Sequence, residues 1–318
     1  MNLTNKRVMI TGGAGFIGSH LAERLIELNN KVLVYDNFTD YYSGKENNIR
    51  RLQNHPNFTL IKGDILNFEH LLTSMKRIEI IFHLAAQPGV RYSFRHPHKT
   101  INVNTLGTLN VIKAAIENNI EKIVNASSSS VYGEQDNLPI KETARMYPTS
   151  LYGVSKLSAE HYCRIYHQIY DCEIISLRYF TVYGPRQRPD MAIHKFIKQI
   201  YEKKPISIYG DGKQTRDFTY IDDIVRGTVS SAEIDDIGGE VFNLGSGSRT
   251  ILNDLINMLK ELTEDFEVKY ETKKSGDVTH THADISKAKK MLQYRPQVFL
   301  KEGLSNFINW YKEVKLSK

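Results

Sequence analysis

Two cysteines, Cys163 and Cys172, are all that 318 residues contain. They form no CxxC pair, so a disulfide framework is excluded and reduced thiols in a cytoplasmic protein are expected. No apolar run approaches the roughly 18 residues of a membrane span, which argues against a membrane protein. Repeats and low-complexity stretches are missing, so a collagen-like or disordered chain is excluded. Runs of five or six like charges are missing too, although the net charge is +6 and the pI about 9.0. Such diffuse basicity fits a small anionic ligand as well as a nucleic acid. The N-terminal MNLTNKRVMITGG enters an apparent strand at once, which leaves no room for a signal peptide.

What is present is ordinary for a globular chain: 41% hydrophobic and 25% charged residues, over a length that corresponds to about two domains. Short apolar runs at Arg7–Thr11, Lys31–Tyr35, Phe58–Ile61, Glu79–His83, Lys122–Ala126 and Glu173–Leu177 read as strands. Helical patterns fall between most of them, at about 16–28, 100–118 and 150–170. That alternation predicts an α/β fold with right-handed crossovers, a doubly wound parallel sheet of the Rossmann type. After about Arg178 the pattern changes. A proline-containing loop, 183–191, leads to helices at about 192–202, 222–232, 251–263 and 300–315, with short strands between. We expect a nucleotide-binding domain over 1–180 and a smaller α/β substrate-binding domain over 181–318, with a soft boundary that the chain crosses more than once.

The turn after the first strand is TGGAGFIG, a GxxGxxG on Gly12, Gly15 and Gly18. Gly12 permits a tight turn, Gly15 lets the backbone approach a pyrophosphate, and Gly18 lets the helix pack closely, while the helix N-terminus offers free N–H groups to an anion. A bare glycine motif is more often a turn without ligand. Here a strand precedes, a helix follows, and the next strand ends in Asp36, placed to accept from a ribose 2′-hydroxyl. Asn37 and Phe38 follow in place of arginine, so NAD is expected over NADP. Asp64, after the third strand, fits an adenine edge or a helix N-cap.

Tyr152-Gly-Val-Ser-Lys156 is a YxxxK, which puts phenol and ammonium on one helix face. An ammonium beside a phenol lowers its pKa from about 10, giving a base able to take a proton from a sugar hydroxyl. Alone, the pattern is usually a solvated helix face. It gains weight from Ala126-Ser-Ser-Ser-Ser-Val-Tyr-Gly133 at a strand's carboxyl end, where open α/β sheets bind ligands.

With TGGAGFIG, His83-Leu-Ala-Ala86, SSSSVYG and YGVSK in this order, the chain resembles the extended short-chain dehydrogenases/reductases, more narrowly the nucleotide-sugar 4-epimerases and 4,6-dehydratases. Asn104-Thr-Leu-Gly-Thr108, Arg178-Tyr-Phe180, Arg216-Asp-Phe-Thr-Tyr-Ile-Asp222, Asn243-Leu-Gly245 and Gly276-Asp277 extend the likeness over nearly the whole chain. The resemblance implies Tyr152 as catalytic base, Lys156 as holder of the nicotinamide ribose and Ser128 as partner of the reacting sugar hydroxyl. It implies a cofactor site from Gly12, Gly15, Phe16, Ile17, Gly18, Asp36, Asn37, Asp64, Ile65, Leu84, Ala85, Ala86, Gln87, Asn104 and Tyr179. Arg216 and Asp277 match positions that hold the UDP diphosphate and ribose, Arg188 is a further diphosphate candidate, and Gly89 and Arg91 fall in the loop after His83-Leu-Ala.

Dehydratases of this family carry Thr-Asp-Glu where this chain has Ser128-Ser129-Ser130, so elimination of water at C6 lacks its acid. The string Arg178-Tyr-Phe-Thr-Val-Tyr-Gly-Pro-Arg-Gln-Arg-Pro-Asp-Met191, with Thr181 in place of asparagine, resembles UDP-glucuronate 4-epimerases, as does Ala86-Gln-Pro-Gly-Val-Arg-Tyr-Ser93. Ser129, Ser130 and Thr181 are short hydroxyls suited to a C6 carboxylate; backbone capping explains them equally well. Arg91 suits the carboxylate or the diphosphate. A UDP-glucose/UDP-galactose or N-acetylhexosamine 4-epimerase is the alternative, and a UDP-glucuronate decarboxylase ranks lower. A dinucleotide-sensing, non-enzymatic relative is disfavoured by the intact Tyr152, Lys156 and Ser128, and a nucleic-acid partner by the absence of a basic patch with interleaved aromatics. By family analogy a homodimer through the helices at 100–118 and 150–170 is expected. His96-Pro-His98 and His280-Thr-His282 lack further ligands and read as solvated loops rather than metal sites.

Overall fold

The six apolar runs lie side by side in one seven-stranded sheet, described by a computed structural model over residues 3–272 and 278–316. From one edge the order is Val241–Leu244, Glu173–Tyr179, Lys122–Ser128, Ile80–His83, Arg7–Thr11, Lys31–Asp36 and Phe58–Lys62. Every pair is parallel. The inner strands Ile80–His83 and Lys122–Ser128 are buried at every position. Helices cover both faces of such a sheet, which is why these strands read as continuous apolar runs rather than as alternating patterns.

The helix Phe16–Glu27 places Leu21 and Leu25, one turn apart, in the core, each wholly buried. Burial of a leucine is worth about 1.5–3 kcal/mol. The pattern at 100–118 is realised as three pieces: helix Pro97–Ile101, a π-helical turn Asn102–Leu106 and helix Gly107–Glu117. A π-turn inside a helix adds one residue to the turn and re-aims a side chain. Here the re-aimed residue is Asn104, which is buried.

Beyond Phe180 the chain forms three small strand pairs: Thr181–Tyr183 with Phe218–Tyr220, Thr215–Arg216 with Thr250–Ile251, and Ile206–Tyr209 with Val268–Glu271. Helices Ala192–Tyr201, Ile221–Glu233, Leu252–Leu262 and Leu300–Leu316 accompany them. Between these elements the chain returns to the main sheet, where Val241–Leu244 pairs with Ser176–Tyr179. Helix Ile221–Glu233 packs on Phe16–Glu27.

Two local expectations need correction. Asp64 does not cap the following helix; Asn67 does, its side chain accepting from His70 N–H at 3.2 Å, while Asp64 closes a turn with Leu66 N–H at 2.9 Å. His280 and His282 are not merely solvated: His280 Nδ1 lies 2.9 Å from Thr215 Oγ1 and His282 Nε2 lies 3.1 Å from Gly247 O. No His/Cys/Asp/Glu cluster fit for a metal occurs among the described residues. Cys163 and Cys172 are buried and unbonded, and no described helix is long and apolar enough to cross a membrane.

Candidate active site

The strand order reverses between Arg7–Thr11 and Ile80–His83. In an open α/β sheet the crevice at the carboxyl ends of such strands is where ligands bind. The two ends are stitched together there. Thr11 Oγ1 lies 2.7 Å from His83 Nδ1, and Leu84 N–H donates to Thr11 O at 3.0 Å. His83 Nε2 meets Thr108 Oγ1 at 2.9 Å. Burial, aided by the charge of Lys156, holds the His83 pKa down at about 3, so the ring is a neutral structural strut.

Above the stitch lies an open cleft whose free space, solvent at its mouth included, is about 1110 Å³. Of the residues singled out in the sequence, Gly12, Gly15, Phe16, Ile17, Gly18, Asp36, Asn37, Ile65, Leu84, Ala85, Ala86, Gln87, Tyr152, Lys156, Tyr179 and Arg188 line it. Gly12 has φ +72°, and a Cβ there would come within 2.7 Å of Ala85 N. A Cβ on Gly18 would reach 2.4 Å from Gly12 O, so this glycine lets the helix close on the turn itself. The helix starts at Phe16 with neither a side-chain cap nor an acid in its first turn, which leaves its N–H groups and partial positive charge to an anion. Asp36 is fixed at the far rim: its carboxylate accepts from Ala14 N–H at 3.1 Å and Phe38 N–H at 2.8 Å. Burial raises its pKa, opposed by Lys45. These features fit an extended dinucleotide: a cradle that side chains would fill, an uncapped helix end, and a buried acid at ribose distance along the strand.

Two predicted cofactor residues stand outside that lining. Asp64 binds the Asn37 amide, Nδ2 donating to Oδ2 at 2.9 Å. Asn104 acts from behind: it accepts from Gln87 N–H at 2.6 Å and donates to Gln87 O at 3.1 Å and Ser155 Oγ at 2.9 Å. It fixes the wall rather than forming it. Sequence reasoning missed Tyr41, Tyr42, Lys45 and Lys99, which also line the cleft. Tyr41 and Tyr42 lie in a loop with no helix or strand period, where their adjacency in a polar stretch was the signal available, while Lys45 opens the short helix Lys45–Ile49.

The YxxxK helix begins where Ser150 caps Leu151–Ile169, its Oγ accepting from Gly153 N–H at 3.0 Å. Gly153 lies so close to the serine hook that a Cβ would meet Ser130 O at 2.4 Å. This contact places the Tyr152 phenol near Ser128. Lys156 Nζ donates to Ala126 O at 2.8 Å, and burial lowers its pKa to about 8. The expectation that Lys156 lowers the phenol pKa is not met in the protein alone. Burial raises the Tyr152 pKa, and the cation that opposes the rise is Arg188, with Ser128 helping by its hydrogen bond. The physical reason is that the lysine ammonium is engaged by a strand carbonyl while the phenol is desolvated.

The serine hook does local work. Ser128 Oγ accepts from Ser130 N–H and donates to Ser130 Oγ, both at 3.1 Å, the capping geometry of an ST-turn. Ser129 opens a short 3₁₀ turn, Ser129–Val131. Half-buried Thr181 starts the strand beside it, its N–H donating to Asp217 O at 3.1 Å. Arg188 is held by Asp190 through Nε at 2.9 Å and Nη2 at 3.0 Å. Arg91 lies over the Tyr209 ring at 5.1 Å, next to Gly89, whose φ is +105°. Arg216 donates to the carbonyls of Thr215, Val278 and Thr279 at 2.7–3.0 Å. Neither arginine lines the cleft, and Asp277 lies outside the described residues.

Behind Lys156, one helical turn on, is Glu160. It receives Arg178 Nε at 2.9 Å and Nη2 at 2.7 Å, and it also binds the Ser127 hydroxyl. Arg178 Nη1 donates to Tyr132 Oη at 2.8 Å, which donates to Asn243 Oδ1 at 2.6 Å. This buried chain runs from the serine hook to the returning strand Val241–Leu244.

The family described as GDP-mannose 4,6 dehydratase matches residues 9–307. The chain belongs to it, within the extended short-chain dehydrogenases/reductases that act on nucleotide sugars. Its relatives in this family include the UDP-glucuronate 4-epimerase of Thermodesulfobacterium geofontis, 42% identical over 312 residues and covering 96% of each chain. The crystal structure of UDP-glucuronic acid 4-epimerase from Bacillus cereus, in complex with UDP-glucuronic acid and NAD, aligns with TM-score 0.92 at 41% identity, over 97% of this chain and 99% of that one. A UDP-N-acetylglucosamine 4-epimerase from Methanobrevibacter ruminantium aligns with the same TM-score at 36% identity, over 98% and 99%. The family description names a dehydration, yet at the hook this chain has serine hydroxyls where the resemblance to dehydratases would require an acid.

Proposed function

We propose that the protein is an NAD-dependent 4-epimerase that interconverts UDP-glucuronate and UDP-galacturonate. The observation that carries this reading is that Tyr152 and Lys156 line the dinucleotide cleft together, one helical turn apart, with Ser128 acting on the phenol and Lys156 anchored to Ala126 O. NAD held along the glycine turn and Asp36 supplies the acceptor and later the donor of the C4 hydride. Tyr152 takes the proton of the C4 hydroxyl, which Ser128 orients. The 4-keto sugar turns about its diphosphate bonds, the hydride comes back to the opposite face of C4, and Tyr152 returns the proton to the C4 oxygen. Arg188, the cation that faces the phenol, favours the phenolate in which the base must act. Ser129, Ser130 and Thr181 supply hydroxyls to the C6 carboxylate. Fixing that carboxylate keeps the C5–C6 bond out of line with the C4 carbonyl, so the β-keto acid keeps its CO₂.

Purified protein given UDP-glucuronate and UDP-glucose separately, without added NAD, is expected to convert only UDP-glucuronate, giving UDP-galacturonate by proton NMR. Conversion of UDP-glucose alone would retain the epimerase and discard the carboxylate site. A pentose product with CO₂ would move the protein to the decarboxylases.

We place the protein in the cytoplasm, where its two unbonded thiols stay reduced, and propose a homodimer. The supporting observation is apolar exposure on the two long helical segments: Ile101 is 47%, Leu106 48%, Val154 47% and Ile165 41% exposed. Sedimentation velocity should give twice the 36.5 kDa chain mass, and Val154→Glu should lower it. A single-chain mass at micromolar concentration ends the proposal.

A further inference from the structure

Two loops reach each other across the mouth of the cleft from positions far apart in sequence. One follows the strand Lys31–Asp36 and carries Tyr41; the other follows Thr181–Tyr183 and carries Arg188 and Asp190. Tyr41 and Arg188 both line the cleft. Tyr41 Oη donates to Asp190 Oδ2 at 2.9 Å. Asp190 at the same time holds Arg188 by two hydrogen bonds, and the Arg188 guanidinium lies 5.9 Å from the Tyr41 ring centroid.

Each loop is also seated at its base. Tyr41 packs edge-on against Tyr92 at 5.0 Å, and a Cβ on Gly89 would come within 2.6 Å of its hydroxyl. The second loop is pinned to the nucleotide-binding helix. Arg186 pairs with Glu23, donates to Asn48 O at 3.1 Å and meets His20 Nδ1 at 3.2 Å, while His20 Nε2 lies 2.9 Å from Pro185 O. Arg186 adopts φ +64° to do so, an uncommon conformation for a side-chain-bearing residue, held here by its three partners. Tyr41 has its pKa pushed up to about 12 by burial and by Asp190, so it remains a donor throughout the working pH range.

We infer that Tyr41, Asp190 and Arg188 form a clasp over the cleft that retains NAD between turnovers. The inference rests on the reading of the cleft as an NAD site, and it names residues that the cofactor motifs do not include. An epimerase returns its hydride in every cycle and gains nothing from exchanging its cofactor. A contact that must open before the dinucleotide leaves therefore slows release without entering the chemistry. The clasp also shares Arg188 with the phenol, so the group that faces Tyr152 is oriented by the contact that closes the cleft. Tyr41 and Asp190 are thus positioning residues.

The test is cofactor retention. Wild type, Tyr41→Phe and Asp190→Ala are purified, desalted, and assayed for bound NAD by acid release and for exchange with labelled NAD. Tyr41→Phe keeps the ring against Tyr92 and Arg188 and removes only the hydrogen bond. It is expected to release NAD about tenfold faster, the scale of one hydrogen bond to a charged group. Its desalted activity should fall with NAD content and be restored by millimolar NAD. Asp190→Ala is expected to release NAD faster still and, because Arg188 loses its orienting partner, to show a lower kcat even at saturating NAD. If wild type retains NAD and Tyr41→Phe retains it as long, the clasp is wrong and the cofactor reading stands. If wild type takes up no NAD at any concentration, the cofactor reading falls and the clasp with it.

Discussion

Tyr152→Phe is expected to lower kcat by about 10²–10⁴-fold, the range supplied by a positioned proton-transfer group, while the protein keeps its NAD. The change deletes one oxygen and leaves the ring in the cleft lining. It removes the proposed acceptor of the C4 proton, for which its neighbours are poor substitutes: Lys156 is committed to the Ala126 carbonyl and Ser128 is engaged by Ser130. The measurement is a single-turnover assay with UDP-glucuronate, read beside the bound NAD content. A near-normal rate would show that the base is another residue. A lost rate together with lost NAD would show that the phenol serves the cofactor instead of the sugar.

The second large effect is on stability. Glu160→Gln is expected to cost about 3–5 kcal/mol, because it leaves a buried guanidinium without its counter-ion. Arg178 and Glu160 side chains are 2% and 5% exposed, so water cannot take over the lost contacts. Glutamine can still accept one of the two Arg178 hydrogen bonds, but it does not neutralise the charge. The urea midpoint should fall with an unchanged slope. Glu160→Gln combined with Arg178→Met should recover a substantial part, because the pair's removal deletes the stranded charge along with its partner. A single variant that loses under about 1 kcal/mol would show that the cation finds compensation elsewhere, for example in the Tyr132 ring that lies 4.7 Å from it.

Much of this site was legible because its residues lie on elements with short-range signals. The glycine turn sits between a strand and a helix. Asp36 closes a run of apolar residues, and Tyr152 and Lys156 share a helical period. Such patterns place a side chain without knowledge of the rest of the chain. The loop of Tyr41 and Tyr42 has no such period, and Tyr41 is placed by contacts with Tyr92 and Asp190 far away in sequence. The tuning of Tyr152 was misread for a related cause. Spacing puts Lys156 beside the phenol on the helix, but spacing says nothing about the Ala126 carbonyl that occupies its ammonium, nor about Arg188 arriving from a loop 36 residues on. Asn104 was recognised from its motif, and only the π-turn reveals that it braces the backbone of Gln87 instead of facing the cleft.

The return of the chain to the main sheet also sets the timing of synthesis. The strand Glu173–Tyr179 is made roughly sixty residues before its neighbour Val241–Leu244, an interval of about 3–12 s at ordinary translation rates of 5–20 residues per second. During that interval one side of Glu173–Tyr179 presents bare amide and carbonyl groups and an apolar surface. The buried chain from Glu160 through Arg178 and Tyr132 also lacks Asn243, its last member. Completion of this sheet edge therefore waits for the later segment, and a chain cut before Val241 would leave Glu173–Tyr179 as an unpaired edge strand.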